Sequence, residues 1–214
     1  MDKHFIQKTK QYKINERNKQ MRRQIRSSVF ETNSSSTHSI AIPKRCETPS
    51  NISFYTGDFG WSFREVDAVD YFYTAIYETS ETETEVLEKI QKLKNILESH
   101  NIEYHFAKPS SHIWHSDYDD KEYFSLDDGY IDHGYELVDF VDKLLNDEDK
   151  LLRFLGGGLV FTGNDNSYTK QRCFIERNEE YLDDYDWSTG QMFKVKNPYY
   201  MSNHEDYEWY YKGN

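Results

Sequence analysis

At 214 residues and a formal net charge of −12, the chain has room for one domain with an appendage, and no run of about 18 apolar residues that would cross a membrane. Cys46 and Cys173 are its only cysteines and lack metal or redox spacing. This gives no indication of a disulfide framework and makes the cytoplasm the expected compartment. Phe, Ile, Leu and Val make up just over a fifth of the residues, near the composition of disorder, but 18 Tyr and 4 Trp supply further apolar area to bury. A folded protein with a thin aromatic core and long polar loops is expected.

The charge divides sharply along the chain. Residues 1–26 carry nine basic side chains against Asp2 and Glu16, a net +7, which leaves −19 for residues 27–214. A basic N-terminal arm on a single acidic domain is the resulting division. The arm has no Gly or Pro and sparse apolar positions (Phe5, Ile6, Tyr12, Ile14, Met21, Ile25), so it reads as a helix that orders against the body or a partner. Its Lys and Arg can also contact nucleic-acid phosphates, with a gain from released counterions. No apolar run occurs from Met1 to Lys13, so a secretory leader is not expected.

Past the arm, Ser39 to Ile42 alternates as a short strand ending at Pro43, and Ile52 to Thr56 reads as a second strand turning at Gly57-Asp58. Arg64 to Tyr77 has helical spacing. The clearest helix covers 84–99, capped by Thr82 or Thr84. Its stripe is Val86, Leu87, Ile90, Leu93, Ile96 and Leu97, and Glu88, Lys89, Lys92 and Lys94 lie on a solvated face. A strand follows at Ile102 to Phe106. Ser110 to His133 reads as a long loop with room for one hairpin. Helices at Gly134–Leu145 and Glu148–Leu155 precede a buried strand at Leu159 to Thr162 and a turn at Gly163 to Asn166. Glu176 to Trp187 reads as an acidic connector, and Met192–Val195 and Tyr207–Tyr211 as late strands. The order predicts an α+β fold: a mixed or antiparallel sheet with helices mainly on one face, preceded by the basic helical arm.

Three constellations could carry function. The first is the hydroxyl-rich run from Arg26 to Ser39. Small hydroxylated residues let backbone N–H groups approach a phosphate, and an imidazole can activate a neighbouring hydroxyl. The candidate ligand residues are Arg26, Asn33, Ser34, Ser35, Ser36, Thr37 and His38, set against a structural reading in which the hydroxyls satisfy local backbone groups. No phosphate-loop or nucleophile-elbow motif accompanies them. The string Ser28-Val29-Phe30-Glu31-Thr32-Asn33-Ser34-Ser35-Ser36-Thr37-His38-Ser39 resembles the opening of a family of uncharacterised proteins from phages and mobile elements of Gram-positive bacteria. Gly57-Asp58-Phe59-Gly60-Trp61 and Phe161-Thr162-Gly163-Asn164-Asp165-Asn166 are similar to later parts of that family. The resemblance spans about residues 26–170 and implies a biological context without assigning a site.

The second constellation is His112 and His115 with nearby Asp residues. These are metal-ligand types without a named spacing, so no metal or other cofactor is assigned. The third is acidity interleaved with aromatics. Residues 115–150 hold thirteen acids and three Lys, and residues 176–187 present Asp183, Asp184, Tyr185, Asp186 and Trp187 as candidate partner contacts. Carboxylates with aromatic anchors can imitate a phosphate backbone and fill the basic groove of a host protein or nucleoprotein; the plainer reading is solubility. The sequence thus favours a binding protein that inhibits a host nucleic-acid-handling or defence protein. The alternative is an enzyme or sensor for a nucleotide or other phosphorylated ligand, built on the Arg26-to-His38 segment.

Overall fold

The structure is a computed structural model that describes residues 36–60, 62, 64–117, 120–164 and 170–212. The basic arm of residues 1–26 lies outside them. The described residues form an α+β fold around a four-stranded antiparallel sheet of order β12-β1-β9-β4. Its strands are β1 (Ser36–Pro43), β4 (Arg64–Val66), β9 (Leu159–Asn164) and β12 (Tyr207–Lys212). Smaller pairs surround it. Parallel pairs are β2 (Asn51–Phe54) with β5 (Glu103–Phe106), and β3 (Asp58–Phe59) with β8 (Tyr130–Ile131). Antiparallel hairpins are β6–β7 (Ser111–Ser116, Lys121–Leu126) and β10–β11 (Tyr181–Asp186, Gln191–Lys196). The helices are α1 (Ala68–Glu78), α2 (Glu83–Ser99), α3 (Val138–Leu145, after a short 3-10 turn at Gly134–Leu137), α4 (Glu148–Gly157) and α5 (Lys170–Arg177).

The period-2 alternation of strands divides the side chains of the central sheet. Ile40, Ile42 and Val160 point into the main core with residues of α1, α3 and α4, whereas Phe161 and Trp209 point to the opposite face, where they stack at 6.4 Å. Tyr199 meets Phe161 edge-on and His204 stacks on Trp209 at 4.7 Å, so an aromatic layer covers this second face.

Helix α1 is the hub of the main core. Every residue from Tyr71 to Tyr77 is buried, as expected of a helix apolar nearly all round. Its tyrosines enter the core because their hydroxyls find acceptors: Tyr73 donates to the Ala107 carbonyl at 2.9 Å and lies 3.1 Å from the Tyr77 hydroxyl. Arg64 to Val66, read from sequence as the helix start, instead pairs with β9, and Asp67 caps α1 by accepting from the N–H groups of Val69 and Asp70.

Helix α2 keeps the expected cap, Thr82, and buries Val86, Leu93, Ile96 and Leu97. Two of its residues depart from the sequence reading. Leu87 is exposed. Lys89 is buried, its Nζ donating to the Thr79 carbonyl at 3.0 Å and the Thr79 hydroxyl at 3.2 Å beside Glu85 at 3.3 Å. The ammonium thus closes the C-terminal end of α1, where carbonyls lack helical donors and the helix dipole favours a cation.

Candidate functional site

The hydroxyl run is described from Ser36 onward; Arg26, Asn33, Ser34 and Ser35 lie outside the described residues. Ser36, Thr37 and His38 begin β1, a central strand of the sheet, and all three are buried. Ser36 donates its N–H to Asp132 Oδ2 and its hydroxyl to the Asp132 carbonyl, both at 3.1 Å. His38 Nδ1 is 2.7 Å from the Tyr71 hydroxyl, and burial, reinforced by Glu136, holds that phenol protonated well above its ordinary range. Across the ladder from His38, Thr162 donates to the Ser62 carbonyl at 2.7 Å. None of Ser36, Thr37 and His38 lines the open groove beside β2 (Pro49, Asn51 to Ser53, Tyr55, Asp67, Val69, Asp70, Leu155, Gly156).

His112 and His115 extend from the β6–β7 hairpin, each with its own carboxylate. His112 Nδ1 is 2.6 Å from Asp127 and His115 Nε2 is 3.1 Å from Asp120. Among the described residues no three His, Cys, Asp or Glu side chains are grouped to hold a metal ion.

The acidic stretch at 176–187, read from sequence as a connector, is instead helix α5 ending at Arg177 followed by strand β10. Asp183, Asp184, Tyr185, Asp186 and Trp187 are therefore consecutive along β10 and into its turn. Two asparagines hold the base of this hairpin. Buried Asn197 donates through Nδ2 to the carbonyls of Phe174 (2.8 Å) and Glu179 (3.0 Å), and accepts the Tyr199 N–H at 2.8 Å. Asn178, in the left-handed region at φ 45°, exchanges two 2.8 Å bonds with the backbone of Met201. Leu182 is buried beneath the base.

Along the hairpin several apolar side chains are exposed. Tyr181, Tyr185, Met192 and Phe193 are exposed, and Trp187 is 80% exposed with its ring edge-to-face on Tyr185 at 4.9 Å. Register pairs Tyr185 with Met192, so these two and Trp187 form a small apolar patch at one end of the hairpin. Gly190 (φ +72°) permits the turn, and its N–H bonds the Asp186 carbonyl at 2.8 Å.

The carboxylates of the hairpin are less free than the sequence suggests. Asp183 pairs with Lys194 at 2.7 Å, and Asp184 accepts the N–H of Tyr185 at 2.9 Å. Asp186 Oδ1 accepts the Ser188 hydroxyl (2.6 Å) and N–H (2.8 Å) and faces the Thr189 N–H, which holds its carboxyl down to about 2. Since the folded value lies below the ordinary 3.8, the contribution of Asp186 to the turn is present above pH about 4 and lost as pH falls through about 2. Carbon-detected NMR titration should therefore place the Asp186 midpoint near 2, and Ser188→Ala should move it up toward 3.8. An unchanged midpoint in that variant would remove the hydroxyl from the turn's electrostatics.

No family model, curated protein or solved structure matches this chain. Fold and surface define an α+β protein with a firmly based hairpin that carries Tyr181, Tyr185, Trp187, Met192 and Phe193 exposed. No helix among the described residues is long and apolar enough to cross a membrane.

Proposed function

We propose that this protein acts by binding, with the β10–β11 hairpin as its contact element and a cytoplasmic protein or nucleoprotein with a basic groove as its partner. The observation that supports this reading is the Tyr185–Trp187–Met192 patch, exposed on a hairpin whose base is fixed by Asn178 and Asn197. A large aromatic held in place while exposed loses little side-chain entropy on docking, and Trp and Tyr dominate binding energy at interfaces. The acidic surface acts at longer range: opposite potentials speed encounter, while the apolar anchors hold the complex. With the resemblance to phage and mobile-element proteins, this fits an accessory protein that blocks a host nucleic-acid-handling or defence protein. The basic arm can add phosphate contacts.

The test is kinetic. With the partner captured from host lysate and identified, Trp187→Ala is expected to raise the dissociation rate about tenfold, equivalent to about 1.4 kcal/mol. Joint replacement of Asp183, Asp184 and Asp186 by Asn should mainly slow association, and added salt should weaken binding. Binding indifferent to salt and to Trp187, yet abolished by deleting residues 1–25, would assign the work to the arm instead.

A further inference from the structure

Strand β2 has one partner and one open edge. The register joins Asn51 to Glu103 through Phe54 to Phe106, and Glu103 N–H bonds the Ser50 carbonyl while Ala107 N–H bonds the Phe54 carbonyl. In a parallel ladder, alternate residues turn both backbone groups to the same side. Ile52 and Phe54 therefore serve β5, and Asn51 and Ser53 turn their N–H and C=O groups to the other edge. The next residue on that side, Tyr55, confirms the phase, since its N–H is taken by Asp70 Oδ1 at 2.9 Å. The groups of Asn51 and Ser53 have no protein partner among the described residues.

That edge forms one wall of the open groove, about 340 Å³ in volume, whose other walls come from the start of α1 and the end of α4. Gly156, at the α4 wall, lets the Cys46–Pro49 segment pack closely on the helix: a Cβ there would stand 2.7 Å from Cys46 Sγ and 2.8 Å from the Glu47 carbonyl. Asp67 and Asp70 line the groove and no Lys or Arg does. Each uses Oδ1 internally, Asp67 for the N–H groups of Val69 and Asp70, and Asp70 for Tyr55, while their Oδ2 atoms accept nothing among the described residues. Burial, with Asp67 nearby, raises the carboxyl of Asp70 despite the Tyr55 bond, and a cation placed there would lower it again.

We infer that this groove is a second docking site, which takes an extended segment of a partner protein by strand addition to the free edge of β2, with a Lys or Arg of that segment set against Asp67 and Asp70. Main-chain bonds to Asn51 and Ser53 supply affinity without regard to sequence, and the two carboxylates supply the preference for a basic residue. The site does not depend on the β10–β11 hairpin.

The probes are fluorescein-labelled heptapeptides of alternating Val and Thr with one Arg placed in turn at each position, and a matching Glu set, titrated by anisotropy into the full chain. The best Arg peptide should bind saturably and at least tenfold more tightly than its Glu counterpart. N-methylation of its alternate residues should abolish binding in one phase and leave it nearly unchanged in the other, because only one set of N–H groups faces β2. Asp67→Asn with Asp70→Asn preserves the cap and the Tyr55 acceptor while removing charge. That double variant should bring the Arg and Glu peptides within about twofold of each other, and Trp187→Ala should change neither. The inference is overturned if no Arg peptide binds saturably, if Arg and Glu peptides bind alike to the unaltered protein, or if both methylation phases act equally.

Discussion

Leu93→Ala is expected to lower stability by about 2–5 kcal/mol, the range for deleting a fully buried leucine side chain when the cavity does not collapse. Leu93 has no exposed surface and lies in the main core, whereas Leu87, on the same helix, is 60% exposed. Leu87→Ala should therefore change stability by no more than about 0.5 kcal/mol. Urea unfolding of both variants checks the contrast. Equal shifts in midpoint would mean that α2 presents another face to the core.

The second large effect centres on Tyr71. Its ring is fully buried between Phe59 (5.3 Å, edge-on) and His38 (5.5 Å, edge-on), and its hydroxyl meets His38 Nδ1. Tyr71→Ala removes ring and hydroxyl together and should cost about 3–5 kcal/mol, as for other buried aromatics. Tyr71→Phe keeps the ring and removes only the hydroxyl from a dry, polar contact, at about 1–3 kcal/mol. If Phe is as stable as Tyr, the contact contributes nothing net and the 2.7 Å approach reflects packing alone.

These two sites show what the sequence made legible. The stripe of α2 was readable because four buried positions recur at helical spacing and Thr82 marks the start. Leu87 was misassigned because a single helix cannot reveal where its neighbours stop covering it. Lys89 escaped for a related reason: its partner is the end of α1, and a carbonyl seeking a donor leaves no trace in composition. The mixed, mostly antiparallel α+β character followed from the order of elements.

The candidate sites were less legible. The run Ser36-Thr37-His38 admits both a ligand reading and a structural one from sequence; in the fold a central strand buries these residues, with Asp132 and Tyr71 among their partners. The five residues from Asp183 to Trp187 were visible as a group, but their roles within it were not. Only the turn geometry engages Asp186 internally, and only the register places Met192 beside Tyr185. The open edge of β2 had no sequence signal, since backbone groups are the same in every residue.

The neighbours of β1 also set an order of events during synthesis. Its ladder partners on either side, β9 and β12, lie far along the chain, with Ser39 opposite Phe161 and Tyr211. Until β9 emerges, β1 therefore waits with both edges bare, and one edge still waits for β12, whereas α1 and α2, adjacent in sequence, can pack as soon as they emerge. The sheet closes only when residues 207–212 leave the exit tunnel, and bringing distant segments together is slow. A chain stalled before that point would expose a strand rich in Ile and Ser to chaperones or to another nascent copy.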